Sequence, residues 1–159
     1  MVRTYRPEDL ETLRKITVIC FDGISIDQHI ETAFGKFSDT TWQERKASHI
    51  DNDAEAHSEG LFVYEVDKEV IGYITTRIDR HTRVGGIPNL AVLPGHQGKG
   101  IGKALMKAAL NHLEEQGMVV ARIETLDNND VGIQFYPRTG FVEVARQIHY
   151  AMPLKDRKL

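Results

Sequence analysis

The chain has 159 residues and a mass of 18.0 kDa, about one ordinary domain with a covered core. Apolar residues make up 41% and charged residues 27%, which excludes a disordered chain, and no run approaches the ~18 apolar residues of a membrane span. A net charge of −3 and a pI near 6.2 argue against a general nucleic-acid binder.

In chain order, Val2–Tyr5 reads as a first strand. Pro7 suits the first turn of a helix, with Glu8 and Asp9 near its positive end, and Leu10, Leu13, Ile16, Thr17 and Cys20 recur at helical spacing. Residues 24–59 read as mostly helical and strongly polar. Residues 61–66 read as a strand, Asp67-Lys68 as a tight turn and Val70–Ile78 as the antiparallel partner. A further strand runs Ile87–Leu93. Residues 98–116 carry Ile101, Ala104, Leu105, Ala108, Ala109 and Leu113 on one face, a helix ended by Gly117. Val119–Leu126 reads as a strand, 129–136 as a short helix and 141–154 as two more strands. The unit 87–126 is expected to be a right-handed parallel crossover. With no linker, repeat or low-complexity run, residues 1–159 are expected to form a single α/β (α+β) domain around one mixed sheet.

The N-terminus lacks the apolar stretch of a secretory signal, and the single cysteine, Cys20, has no partner for an internal disulfide. A reducing, cytoplasmic location is the expectation, with Cys20 packed on an apolar helix face. The seven histidines show no metal-ligand spacing, so no metal is expected. Residues 1–80 hold 10 Lys+Arg against 16 Asp+Glu, and residues 81–159 hold 10 against 7. That asymmetry suits two binding surfaces of opposite preference, and equally a scatter over solvated faces.

The most informative stretch is Leu90-Ala91-Val92-Leu93-Pro94-Gly95-His96-Gln97-Gly98-Lys99-Gly100-Ile101-Gly102-Lys103. It joins a buried strand to a strongly amphipathic helix. No Ser, Thr, Asp or Asn stands between Leu93 and Gly100 to cap the helix. Lys99, Lys103 and Lys107 crowd the positive end of its dipole, each costing a few tenths of a kcal/mol. Both violations have one remedy, an anion held on glycine-freed backbone amides; the alternative is an ordinary glycine-rich loop with solvated lysines. The dinucleotide fingerprint and the nucleotide P-loop both fail to match this stretch.

What does match is Gln97-x-x-Gly100-x-Gly102, which resembles the acyl-CoA signature of the GNAT N-acetyltransferase superfamily. Downstream, Asn129-Asp130-Val131-Gly132-Ile133-Gln134-Phe135-Tyr136-Pro137-Arg138-Thr139-Gly140-Phe141 resembles the second motif of that superfamily, nearest to its ribosomal-protein N-terminal acetyltransferase-like members. Gly132 stands where the motif has alanine, and Pro137 disfavours a helical conformation at Tyr136. The resemblance covers about residues 87–144 and implies a mixed, mostly antiparallel sheet flanked by helices, splayed between strands 87–93 and 119–126.

By that resemblance acetyl-CoA lies along Leu90, Ala91 and Val92, its pantetheine amides pairing with backbone near Leu90 and Val92. Its pyrophosphate sits on the amides of Gln97, Gly98, Lys99, Gly100, Ile101 and Gly102, with charge from Lys99 and Lys103. Asn129 and Tyr136 complete the cofactor set, and the Val92 amide stabilises the oxyanion. The implied activity is transfer of an acetyl group to a primary amine by direct attack. Such an amine, with a pKa of ~10.4, is protonated at neutral pH and needs a base, and the departing thiolate needs an acid. Tyr136 matches the acid of the family and Glu124 the base of its ribosomal-protein members. Glu124 is equally read as a strand-face partner of Arg122. The acceptor, a small molecule or peptide, is not legible, because residues 20–85 carry no motif. Twelve acidic against four basic residues between Asp22 and Glu69 suit a cationic acceptor, or a solvated acidic face. The resemblance also allows a homodimer through the C-terminal strands. The rival functions are a non-catalytic acyl-CoA sensor and a protein-interaction module with an incidental phosphate site.

Overall fold

The computed structural model describes residues 1–159. Strand β1 (Val2–Thr4) is followed by a 3-10 turn, Pro7–Asp9, that feeds α1 (Leu10–Cys20); α2 (Ile26–Phe34) and α3 (Trp42–His57) come next. Strands β2 (Phe62–Val66), β3 (Glu69–Ile74), β4 (Val84–Ile87) and β5 (Leu90–Val92) then lead into α4 (Ile101–Glu115), β6 (Val120–Ile123) and α5 (Asp130–Arg138). The polar stretch 24–59 thus resolves into two helices. The second starts where Thr41 Oγ1 accepts from Glu44 N (3.2 Å) while the Glu44 carboxylate accepts from Thr41 N (2.6 Å).

The sheet is split. Strands β1-β2-β3-β5 pair antiparallel in that order, whereas β4 pairs with β6, in parallel, and meets the chain beyond β3 through a single antiparallel bridge in which Gly86 and Arg77 exchange two hydrogen bonds (2.8 Å each). The strand expected at Ile87–Leu93 is therefore two pieces broken at Pro88-Asn89, because proline has no N–H to donate to a ladder. One piece follows β3 and the other follows β6. The splay expected from the resemblance lies between β5 and the chain leaving β6. Asp67 and Lys68 take positive φ (49° and 70°), which closes the β2–β3 hairpin tightly. Between the pairs Tyr64↔Gly72 and Glu65↔Val70, Ile71 is an extra residue. This bulge lets Ile71 and Ile74 face one core while Val70 and Tyr73 face the other.

The two cores lie on opposite faces of the sheet. Leu13, Ile16, Ile50, Leu61, Val63, Tyr73 and Ala91 pack under α1 and α3; Ile101, Leu105, Met106, Ala109 and Leu113 of α4 pack with Ile71, Ile74, Ile87 and Val92 on the other face. Each buried Leu, Ile, Val or Met among these contributes about 1.5–3 kcal/mol. Asp9 ties β1 to this frame: its carboxylate accepts from both terminal nitrogens of Arg3 (2.8 Å each) and from Arg6 N (2.8 Å).

Two expectations are corrected. Residues 141–154 form no strands: the segment is extended and exposed, with only a 3-10 turn at Leu154–Asp156. Its period-2 pattern is real, but the segment pairs with no strand of the chain, and Phe141–Met152 contains no Gly, Pro, Asn or Asp to make a hairpin turn. Pro137, in contrast, sits inside α5. Standing in the last turn, it forfeits one helix hydrogen bond there and leaves Tyr136 helical.

Candidate active site

The glycine turn is open where the sequence implies an anion. α4 begins at Gly100 with no side-chain cap and no acidic residue in its first turn. The amides of Gly98, Lys99, Gly100, Ile101, Gly102 and Lys103 find no acceptor within the chain; the first helical bond from this end is Ala104 N to Gly100 O, 3.0 Å. Gly98 (φ +77°) and Gly100 (φ +79°) hold left-handed conformations that cost a residue with a Cβ about 1–2 kcal/mol. A Cβ at either would meet no atom within 4 Å, so the space beside this row of donors is free. Consecutive donors at a helix N-terminus, flanked by lysines, form an anion-binding concavity. The Lys99 ammonium donates to Gly95 O (3.1 Å) at the rim, and the Gln97 amide donates to Val92 O (2.9 Å), tying the turn to β5.

β5 presents its other edge to the split. Bonds from Leu93 N to Ile71 O and from Thr75 N to Asn89 O commit the odd-numbered residues of this stretch to β3. By antiparallel alternation, the amides and carbonyls of Leu90 and Val92 point away from β3 into the gap. Val92 O is taken by Gln97 and by the Cys20 thiol (3.4 Å), which leaves Leu90 N–H, Leu90 C=O and Val92 N–H. Ala91 differs from the other two: its pairing is with Tyr73 of β3 and its side chain is in the core under α1.

The second motif lies against the first. The Phe135 ring stands 3.4 Å from where a Cβ on Gly102 would be, so α5 leans on the start of α4. Tyr136 follows, its ring edge-to-face with Phe135 (5.6 Å) and Phe141 (6.1 Å). Burial pushes its phenol up to about 12, so it holds its proton throughout the neutral range. Asn129 is occupied locally: Oδ1 caps α5 by accepting from Gly132 N (3.1 Å), and Nδ2 donates to Thr125 Oγ1 (2.8 Å). A Cβ on Gly132 would stand 2.6 Å from Asn129 Nδ2, which explains glycine where the motif has alanine. Glu124 directly follows β6, is 72% exposed, and pairs with Arg122 (3.1 Å).

Sequence reasoning missed a buried polar cluster at the strand break. Asp53, only 5% exposed, accepts from Thr75 Oγ1 (2.8 Å), Asn89 Nδ2 (2.7 Å) and Arg77 (3.1 Å). Lys46 donates to Asn89 Oδ1 (3.0 Å) and lies over the Phe21 ring (4.1 Å), and burial lowers its pKa. The acidic excess of this segment is thus partly internal, and Arg45 holds Glu31 (2.7 Å) in a further pair. The signal was available: Trp42, Lys46, Ile50 and Asp53, the buried positions of α3, recur at helical spacing. The cluster pins Asn89, and with it the start of β5, while Asn128 Nδ2 bonds Gly23 O (2.8 Å) across to the α1–α2 loop. A cavity of about 180 Å³ lined by Asp53, Ala56, His57, Thr76, Arg77 and Ile78 contains none of the residues expected to bind or react. No group of three or more His, Cys, Asp or Glu side chains is placed to hold a metal ion, and no helix is long and apolar enough to cross a membrane.

Comparison with known proteins agrees with this layout. The acetyltransferase (GNAT) family model matches residues 25–141. A mycothiol acetyltransferase of Streptomyces avermitilis is 36% identical over 91 residues, which is 57% of this chain and 30% of that protein. The chain thus matches under a third of that relative's length. Among solved structures, the PaiA N-acetyltransferase of Thermoplasma acidophilum in complex with coenzyme A superposes with a TM-score of 0.71 at 24% identity, over 89% of both chains. The ribosomal-protein-S18-alanine N-acetyltransferase of Escherichia coli gives 0.63 at 20% identity, over 91% of this chain and 79% of that one. At those identities the two structures show the shared fold.

Proposed function

Because the chain belongs to the acetyltransferase (GNAT) family, we propose that it transfers an acetyl group from acetyl-CoA to a primary amine by direct attack. The observation that carries this reading is the row of free amides from Gly98 to Lys103, beside Lys99 and Lys103 and next to the unpaired edge of β5. The residues fit the group: the row of amides suits a diphosphate, and Leu90 N–H and Leu90 C=O suit the amides of a pantetheine arm laid in the split, which leaves Val92 N–H for the thioester carbonyl. Gln97 supports the turn rather than the ligand, because its backbone N–H already donates to Pro94 O (3.3 Å) and its side-chain amide to Val92 O (2.9 Å). Asn129 acts through the cap that sets α5.

The chemistry follows from the groups at hand. Making an amine of pKa ~10.4 nucleophilic at pH 7 costs about 4.6 kcal/mol; Glu124 takes that proton, directly or through a water, once it leaves Arg122. The nitrogen then attacks the thioester carbonyl, with the Val92 amide donating to the developing oxyanion. As the C–N bond forms and the C–S bond breaks, the Tyr136 phenol protonates the departing thiolate. Burial keeps Tyr136 protonated, which is the state a general acid needs. The amine belongs to a small molecule or a peptide, and a reducing, cytoplasmic compartment suits the one free thiol. A homodimer through the C-terminal segment is part of this reading.

The test is a free-thiol assay with acetyl-CoA against polyamines, aminoglycosides, lysine and N-terminal peptides. Release of CoA that saturates with one amine class is expected. Tight CoA binding with no amine-dependent release leaves an acyl-CoA sensor instead, a role that the Glu124–Arg122 ion pair, as it stands, favours.

A further inference from the structure

The strand break at Pro88-Asn89 is fixed by side chains, two of which come from α3. Pro88 offers no N–H, and Asn89, 4% exposed, has all four of its polar groups bonded. Asn89 O accepts from Thr75 N (2.9 Å), the one bond that continues the ladder to β3. The other three are not ladder bonds: Asn89 N donates to Thr75 Oγ1 (3.1 Å), Nδ2 donates to Asp53 Oδ2 (2.7 Å), and Oδ1 accepts from Lys46 Nζ (3.0 Å). Lys46 and Asp53 stand two turns apart, on one face of α3, and grip the Asn89 amide from its two ends.

The two charges dictate the direction of every bond. A carboxylate only accepts and an ammonium only donates. Thr75 Oγ1 therefore gives its proton to Asp53 (2.8 Å), which leaves a lone pair for Asn89 N–H. Asn89 turns Nδ2 to Asp53 and Oδ1 to Lys46, because the flipped amide sets oxygen against carboxylate and nitrogen against ammonium. One arrangement satisfies the whole network, and burial penalises the others. Burying charge is itself costly, and what it secures here is the residue beside Leu90, whose N–H and C=O face the split. The turn at Gly98–Lys103 has a separate support, since Ile101 and Leu105 root α4 in the opposite core.

We propose that Asp53, assisted by Lys46, is a positioning residue for the pantetheine arm: by holding Asn89 it aims the Leu90 N–H and C=O along the split, without acting on the diphosphate turn. Asp53 touches no reacting group and works through Asn89. The inference rests on the acetyltransferase reading given above. It adds that the two halves of one cofactor are recognised by separately supported parts of the fold.

The test sets two ligands against variants of the full chain, by calorimetry. 3′-Phospho-ADP is the half of CoA that reaches only the turn, and CoA adds the pantetheine arm. Asp53→Leu keeps the volume and removes the acceptor. It is expected to bind 3′-phospho-ADP within about twofold of the parent and CoA at least tenfold more weakly. Asp53→Asn keeps an oxygen for Thr75 and Asn89 and gives up only Arg77, whose side chain is 66% exposed and free to return to water. It is expected to bind CoA within about threefold of the parent. Where Asp53→Leu fails to fold, Lys46→Met, which keeps the buried stem, is expected to show the same split at about threefold or more. CoA affinity that survives the variant overturns the proposal, and so does a parallel loss of both ligands, which marks general damage to the fold. An Asn variant as weak as the Leu variant overturns it as well, as does a parent that binds CoA but not 3′-phospho-ADP, or that gains nothing from the pantetheine arm. A parent that binds neither ligand at millimolar concentration refutes the acetyltransferase reading itself.

Discussion

Replacing Gly100 with Asp separates the anion site from the fold that carries it. Gly100 has φ +79° and open space where a Cβ would go, so the new side chain meets backbone strain of about 1–2 kcal/mol and no clash. At the first position of α4 the carboxylate gains about 0.5–2 kcal/mol from capping free amides and about 0.3–1 kcal/mol from the dipole. The two effects nearly cancel, so the unfolding free energy is expected to stay within about 1 kcal/mol of the parent. Binding is another matter. A unit charge about 5 Å from a phosphate, at an effective dielectric of about 20, costs about 3 kcal/mol, more than a hundredfold in affinity. Gly100→Asn is the control, equal in size, tolerant of the left-handed conformation and neutral. Calorimetry with CoA on both variants, with urea unfolding alongside, is the assay. Equal affinity in the Asp and Asn variants would refute the reasoning, since charge at the turn would then be irrelevant.

Other consequences are checked separately. Tyr136→Phe is expected to lower kcat about tenfold or more with the CoA dissociation constant unchanged; because burial raises the phenol to about 12, the parent kcat shows no alkaline fall from this group below about pH 11. Glu124→Gln is expected to lower kcat/KM for the amine at least tenfold near neutral pH with the CoA dissociation constant unchanged; an unchanged kcat/KM assigns the base elsewhere. Asp9→Asn removes one of the two carboxylates that the part-buried Arg3 holds, Glu65 (2.7 Å) being the other, and is expected to cost about 2 kcal/mol by urea midpoint at pH 7. Arg3 holds the Asp9 carboxyl below its ordinary value. The stability it provides is therefore complete above about pH 4 and is lost as pH falls through the folded value, a dependence the variant lacks. Asn129→Ala removes the α5 cap, at about 1 kcal/mol, and is expected to weaken Tyr136-dependent turnover more than CoA binding.

The sequence states the acetyltransferase side of the molecule clearly and the acceptor side poorly, for physical reasons. The turn at Gly98–Lys103 is legible because its local rules are broken in ways an anion repairs, and α4 because Leu105, Ala109 and Leu113 keep strict helical spacing. The split in the sheet is foreshadowed by Pro88, although only the pairing partners reveal that β4 and β5 belong to different sheets. The polar helices between residues 24 and 59 hide Asp53 and Lys46, whose burial depends on Asn89 and Thr75 meeting them from strands far along the chain. Glu124 and Tyr136 are candidates by motif resemblance alone; their surroundings, an ion pair for one and an aromatic nest for the other, are tertiary facts. The C-terminal alternation reads as two strands, yet residues 141–154 form none, because alternation marks a side-chain pattern and does not by itself supply a pairing partner.

The central claim is that the free amides of Gly98 to Lys103 exist to hold the diphosphate of a CoA ester. Amide chemical shifts of the labelled protein, followed by NMR during titration with CoA, test it residue by residue. The account predicts that these amides move downfield together and saturate with the same dissociation constant, while the amides of α2 stay in place. CoA that binds without moving them, or fails to bind at millimolar concentration, contradicts it.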